Sequence, residues 1–595
     1  MQEQHIDVFS WLKKEAIPLT SIVPDDANDA DDGMTDLHYF GNIIGDARVV
    51  VCGEATHGTH EFFTLKHRLL KFLAEQKGFT LFAIEDGLLE VDGINQYVLT
   101  GKGDVIELLT DLRFWIWKTQ EMVDLICWMR SYNEQRGERP ALQFLGLDMQ
   151  SCDTVILRVL SYIDEVDPQA GDEFRDLYAN FWTFTEHLSR YSDESPQFKS
   201  TCWSQLKHAQ ELLLAQRTNY EARSSSATFA YTLQCANIVL QAEQMFSSFK
   251  YELRSQFMAE NAVWHLDQAG PQAKMFIWTH NGHAVAPRDD STFRSLGSCL
   301  HQKYNREFKA FGMLVSQGTF NAQDKYQQEN IIEHTFGLPL SNSYEYIFQS
   351  LGLERAIVDL QQLSDELYDW LLEPRMCRSV GIMYTEKAEQ NYWSKMSLPE
   401  SFDGIFYVQD STPSQLIALD RSATAGQRLA PLLIPTQPRN MQFEAGLSYW
   451  QATTPPGHSC DFESGLAHSG VICAYLKSTT NDPVQFSSLH QAIKPDAYLQ
   501  RRIRLSAYVK ALDIKRSAGL WMRVDGANDY LRLDDMHKRP ITGTSNWMRY
   551  AIVLDVPKNS LQIIFGLHFS GQGKVWIDDV QLEVVEDTVP PTDNG

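Results

Sequence analysis

The sequence predicts an α/β domain built on a largely parallel sheet with a helical insertion, followed by an all-β jelly-roll sandwich. Three observations lead there. Short apolar runs recur and stop abruptly at polar residues. A long central stretch shows helical spacing without strands. Beyond about residue 426 strand-like alternation takes over and long helical patterns vanish.

The apolar runs come first. Val49, Val50 and Val51 lead to Glu54, and Leu81 to Ile84 leads to Glu85, Asp86 and Gly87. Residues 142–147 lead to Asp148, and Met275–Trp278 leads to Thr279, His280, Asn281, Gly282 and His283. Further strands are expected at 308–315, 380–384 and 404–408, with helical patterns at 61–77 and 119–132 between them. Alternation of this kind makes a parallel sheet, because parallel strands need crossover helices. Residues 153–268 carry Leu, Phe, Tyr, Gln and Glu at helical spacing and read as a helical cap inserted between two strands.

The segment 426–440 holds Pro431, Pro435 and Pro438 and reads as a linker. Strands are expected after it at 499–509, 517–524, 547–554, 561–569 and 575–584. The expected division is therefore an α/β domain over 1–425, the linker 426–440 and a sandwich over 441–588, with a frayed tail at 590–595.

Composition narrows the function. A chain of 595 residues exceeds one core, and 43% hydrophobic with 11% aromatic residues supports extensive burial. Acidic residues outnumber basic ones 77 to 52, for a formal charge of −25, which argues against nucleic acid or an anionic membrane as partner. The N-terminus lacks a basic region followed by an apolar one, and no apolar run reaches the ~18–20 residues of a membrane span. The nine cysteines are scattered without a C-x-x-C pair and read as reduced thiols. The expected location is the cytoplasm.

The chemistry concentrates at strand ends. Glu54, His57, His60 and Glu61 follow the first run, Glu85 and Asp86 the second, Asp148 the third, and His280 and His283 the fourth. Neighbouring parallel strands would bring these groups within ~10–15 Å, at ~4.8 Å per strand, at the carboxyl edge where α/β sheets bind ligands. Each has an ordinary alternative: Glu54 as a helix cap, Glu85 and Asp86 as a turn, His60 and His67 as structural helix residues. Gly-x-Ser-x-Gly, Gly-x-x-x-x-Gly-Lys-Ser/Thr and His-Glu-x-x-His are absent from the sequence. No cofactor is required by this reading. A divalent metal held by His57, His60, His280 and His283 is the second mechanism it leaves open.

GEATHGTHEFF at 53–63, IEDG at 84–87 and WTHNGHA at 278–284 resemble the erythromycin esterase family, as do WMRSYN at 128–133, FMAENAVW at 257–264 and FDGIFYV at 402–408. The resemblance spans about residues 30–415. It implies a hydrolase that opens a small-molecule ester or lactone by direct attack of water. His57 would be general base, Glu54 and Glu85 would support it, and His280 and His283 would donate to the oxyanion or protonate the leaving alkoxide. Many members carry arginine where this chain has Lys66, which keeps the charge and loses the planar fork. Lys66, Arg68 and Asp148 are the expected substrate-binding residues. The alternatives are a metal-dependent hydrolase in the same cleft, and a carbohydrate-binding or scaffold protein with lost or altered esterase activity.

NMQFEAGLSYW at 440–450 and KVWIDDVQLEVVE at 574–586 resemble the first and last strands of a galactose-binding-like module of the carbohydrate-binding kind. Such modules bind a glycan in some proteins and only pack against a catalytic domain in others. Trp450, Trp521 and Trp547 are its candidate stacking platforms, with a place in the core as the commoner fate of tryptophan.

Overall fold

In the computed structural model, residues 8–24, 34–110, 112–185, 188–248, 250–287, 294–325, 330–417, 434–444, 446–447, 449–480, 486–526 and 530–593 are described. They form two units. One comprises residues 1–154 with 244–425, the other 155–243 with 426–595.

The strands of the first unit are β1 (Ile17–Pro18), β2 (Val49–Cys52), β3 (Leu81–Gly87), β4 (Gln143–Asp148), β5 (Met275–Trp278), β6 (Phe308–Asp324), β7 (Ile331–Thr335), β8 (Arg355–Asp359), β9 (Arg375–Arg378), β10 (Met383–Tyr384), β11 (Trp393–Met396) and β12 (Gly404–Ser411). The main sheet runs β1-β8-β12-β6-β2-β5-β3-β4, with β7 and β10 also pairing β6. From β12 to β4 every pairing is parallel, while β8 meets β12 antiparallel. The largely parallel sheet is thus present. Every residue of β2, β3 and β5 is buried, as befits strands covered on both faces. The expected strand at 380–384 shrinks to Met383–Tyr384, because the Val380 N–H donates to the Ala55 carbonyl instead of to a ladder.

The helix His60–Lys77 follows β2. Thr59 precedes it in extended conformation, Glu61 and Lys77 suit its two dipole ends, and Gly78 closes it at φ 73°. Two glycines of the preceding loop are fixed by close approach. A Cβ on Gly53 would lie 2.3 Å from Asn281 Oδ1, and one on Gly58 would lie 2.0 Å from the Asn321 carbonyl oxygen.

In the second unit the helices Gly171–Trp182, Pro196–Ala215 and Arg217–Arg223 cluster with the C-terminal strands. Asp172 accepts from Thr436 Oγ1 at 2.9 Å and pairs with Arg439 at 3.3 Å, and Asp176 accepts from Tyr449 Oη at 2.5 Å. The strands are β13 (Gln451–Thr453), β14 (His458–Ser464), β15 (Ile472–Ser478), β16 (Phe486–Ile493), β17 (Arg502–Asp525), β18 (Tyr530–Asp534), β19 (Ile541–Asp555), β20 (Gln562–Ser570) and β21 (Lys574–Val585). All of their pairings are antiparallel.

The expected strands 499–509 and 517–524 are one continuous strand, β17, of 24 residues. Its first half pairs with β21 and β19, and its second half with β20 and β18, so one strand serves both layers of the sandwich. In the stretch 440–450, expected as the opening strand, the described residues form turns and irregular backbone before β13. Part of the expected linker, 426–433, lies outside the described residues. Trp450 is 3% exposed in the sandwich core beside Phe565, whereas Trp521 and Trp547 are half-buried.

Candidate active site

The carboxyl ends of β2, β5, β3 and β4 carry the polar residues expected there, and the cluster lies wholly within the first unit. Glu54 is 1% exposed and accepts three hydrogen bonds. His57 Nδ1 lies 2.8 Å from its Oε1, while Lys66 Nζ at 2.7 Å and Trp278 Nε1 at 2.8 Å donate to its Oε2. Burial would raise this carboxyl, but the Lys66 ammonium and the His57 and Lys66 hydrogen bonds hold it below the usual range. An ionised carboxylate only accepts, so His57 presents a proton to it on Nδ1 and turns Nε2 away from Glu54. Lys66 is fully buried, and its ammonium sits 4.5 Å from the Trp278 ring centre.

His280 stands beside His57, with ring centres 5.0 Å apart. The Gly282 N–H donates to its Nδ1 at 3.1 Å. The ring is kept neutral, pushed down to about 3 by burial and by the neighbouring His57. A neutral imidazole accepting at Nδ1 is protonated at Nε2, and this buried Nε2 has no hydrogen-bond partner among the described residues. His280 therefore holds an unanswered N–H donor.

Glu85 lies under the same loop. Its Oε1 accepts from the Thr279 hydroxyl and from the His280 N–H at 2.6 Å. Its Oε2 lies 3.3 Å from Arg254 Nη2 and 3.9 Å from His283 Nε2. Burial opposes its charge, yet its surroundings, Arg254 and Thr279 among them, hold Glu85 well below the usual carboxylate range. Asp148 accepts from Arg254 Nη2 at 2.8 Å and from Gln150 at 2.8 Å. His283 contacts Arg254 Nη1 at 3.1 Å through Nε2 and Ser255 Oγ at 2.7 Å through Nδ1.

Arg254, Ser255, Trp278 and Thr279 were not singled out in the sequence. Arg254 left one faint trace. It is the fourth residue of the helix Tyr251–Ala269, near the positive end of the helix dipole, where a cation is disfavoured unless carboxylates await it.

Other expected residues lie elsewhere. Arg68 is buried against Asp36 at 2.7 Å and donates to the Ser21 carbonyl at 2.8 Å, so the structure does not bring it to this cluster. His60 pairs with Glu121 at 2.6 Å, and Glu61 accepts from the Thr412 hydroxyl at 2.7 Å. Asp86 is buried next to Glu85, and burial pushes it up to about 7, while Glu90 is pushed up to about 8 for the same reason. His60 is thus held apart from the other three histidines. Among the described residues no group of three or more His, Cys, Asp and Glu is arranged to hold a metal ion. Lys66 and Arg254 already balance Glu54, Glu85 and Asp148.

A family model for erythromycin esterase matches residues 74–411 of this chain. That range includes Glu85, Asp148, Arg254, His280 and His283, and begins after His57. An erythromycin esterase type II of Escherichia coli is 24% identical over 435 residues, covering 68% of this chain and 98% of that protein. A Bacillus cereus protein of known crystal structure superposes with a TM-score of 0.61 at 27% identity, over 69% of this chain and 98% of that one. An uncharacterized HTH-type transcriptional regulator of Bacillus subtilis, YbfP, is 48% identical over 141 residues, 23% of this chain. This chain spans 48% of the regulator's length.

Proposed function

This chain belongs to the erythromycin esterase family, and on that premise we propose that it hydrolyses a small-molecule carboxylic ester or lactone with water activated by His57. The supporting observation is the opposite polarity of two adjacent imidazoles. His57 is tied at Nδ1 as a donor to Glu54 and offers a basic Nε2. His280 is tied at Nδ1 as an acceptor from Gly282 and offers an acidic Nε2–H.

In the proposed reaction, Nε2 of His57 takes a proton from water as the water oxygen bonds to the ester carbonyl carbon. Glu54 stabilises the imidazolium that results, and Lys66 keeps Glu54 ionised. The carbonyl oxygen becomes an oxyanion and receives the Nε2–H of His280, a donor already in place before the charge develops. The intermediate then expels the alkoxide, which regains the proton from His57. Acid and alcohol leave and the enzyme is unchanged, with no covalent intermediate. A general base of this kind contributes about 10²–10⁴-fold.

Glu85 positions the donor, since it grips both the Thr279 hydroxyl and the His280 backbone. The test is a hydrolysis screen over macrolides, acylated sugars and aryl esters, with His57→Ala as the blank. Turnover of one class by the parent chain and not by the variant supports the reading. Equal turnover by both proteins overturns the choice of base.

A further inference from the structure

We infer that Ser255, together with its neighbour Arg254, is a positioning residue that holds His283 as a neutral imidazole protonated on Nδ1, so that His283 is a fixed acceptor for Arg254 and neither takes up nor gives up a proton during turnover. Only the activity arm of this inference rests on the hydrolytic reading above.

The argument begins with what each group can do. A guanidinium has donors and no acceptor. Arg254 Nη1 approaches His283 Nε2 at 3.1 Å, so that nitrogen must present its lone pair. The ring proton then lies on Nδ1, where Ser255 Oγ at 2.7 Å is its acceptor. Arg254 and Ser255 are consecutive residues of the helix Tyr251–Ala269 and engage the two nitrogens of one ring.

The rest of Arg254 is equally committed. Its Nε lies 3.2 Å from Asp148 Oδ2, and its Nη2 reaches Asp148 at 2.8 Å and Glu85 at 3.3 Å. A planar fork held on three edges has little freedom to turn. Protonating Nε2 of His283 would set two donors against each other at that 3.1 Å contact and release Arg254 from one edge. Burial disfavours the same change, since it pushes His283 down to about 4. The histidines of the T-H-N-G-H stretch are therefore unlike. His280 presents a donor, whereas His283 is a brace that keeps Arg254 against Glu85 and Asp148.

The experiment uses the full chain with nitrogen-labelled histidine, long-range proton–nitrogen correlation spectra, and His283→Gln to assign the signal. The expected result is the Nδ1–H neutral pattern, unchanged between about pH 6 and pH 8, where a free imidazole would titrate. Ser255→Ala should disturb that pattern and lower kcat roughly tenfold at constant KM, and Ser255→Thr should restore both, as expected of a group acting through another. An Nε2–H or imidazolium pattern in the parent protein overturns the inference. So does a pattern that Ser255→Ala leaves untouched, whatever happens to the rate. If no ester is turned over, the hydrolytic reading fails and the spectra alone decide this one.

Discussion

The imidazoles of His57 and His280 lie 5.0 Å apart at a tilt of 45°, and both are anchored through Nδ1 with opposite sense. Glu54 accepts from the first, while the Gly282 N–H donates to the second. One backbone turn and one carboxylate thus make two identical side chains chemically complementary. The electrostatic support is spread over Lys66 and Trp278 behind Glu54, and over Thr279 and Arg254 around Glu85.

Removing the unanswered donor should lower the rate more than the affinity. His280→Ala is expected to reduce kcat by about 10²–10³, the ~2.7–4 kcal/mol associated with one oxyanion donor, with KM little changed. Steady-state kinetics on the best substrate of the screen checks this. A near-normal kcat would remove His280 from the reaction.

The Glu54–Lys66 pair should show its cost only when broken on one side. Lys66→Met strands a fully buried carboxylate and is expected to destabilise the protein by about 3–5 kcal/mol. The double variant Glu54→Gln with Lys66→Met should recover much of that loss while remaining inactive. Urea unfolding of the parent, of Lys66→Met, of Glu54→Gln alone and of the double variant measures it. Additive losses in the double variant would contradict the pairing.

Asp86 and Glu90 predict a stability that falls with rising pH. Both are buried, with pKa values raised to about 7 and about 8, so the native state retains protons that the unfolded chain has released above about pH 4. Their contribution is intact below that point and declines until pH passes the raised values, a loss on the order of a few kcal/mol. Asp86→Asn or Glu90→Gln should flatten the decline between pH 5 and pH 8, and melting curves across that range test it. His280 and His283, pushed down to about 3 and about 4, add an opposing slope below about pH 6.5, so the comparison is between parent and variants, and variants with the parent's slope would count against it.

Two tryptophans of the sandwich should respond differently to truncation. Trp450 lies in the core between Phe443 and Phe565, and Trp450→Ala is expected to cost about 3–5 kcal/mol. Trp547 is half-buried and tied by its indole N–H to the Leu466 carbonyl, so Trp547→Ala should cost about 1 kcal/mol. Equal losses in denaturant unfolding would refute the distinction.

The strand ends were legible because a buried parallel strand is an unbroken apolar run, and Glu54, Glu85, Asp148 and His280 mark where each run stops. Arg254 and Ser255 were hidden for the opposite reason. They sit on a 19-residue helix rich in polar groups, and only the fold brings them to His283. Arg68 illustrates a register error. Two residues along a helix turn the side chain by roughly 200°, so Lys66 and Arg68 cannot serve one cleft, and Arg68 turns to Asp36. In the sandwich, β17 changes partners across 510–516, where Lys510, Asp513, Lys515 and Arg516 break the apolar alternation. Residues 499–509 and 517–524 therefore read as two strands although β17 runs through both.

The two units also interleave along the chain, and this bears on synthesis. Residues 155–243 leave the ribosome roughly 180 residues before the segment 426–595 with which they cluster. At about 5–20 residues per second, those helices wait on the order of 10–40 s for their strands, with Asp172 and Asp176 still lacking Thr436, Arg439 and Tyr449. The α/β unit faces a milder delay, since β5 and β6 arrive only after that same segment has passed. Yield in the cell should therefore depend on translation speed across residues 244–425, and on whatever shields a helical segment that is made early and completed last.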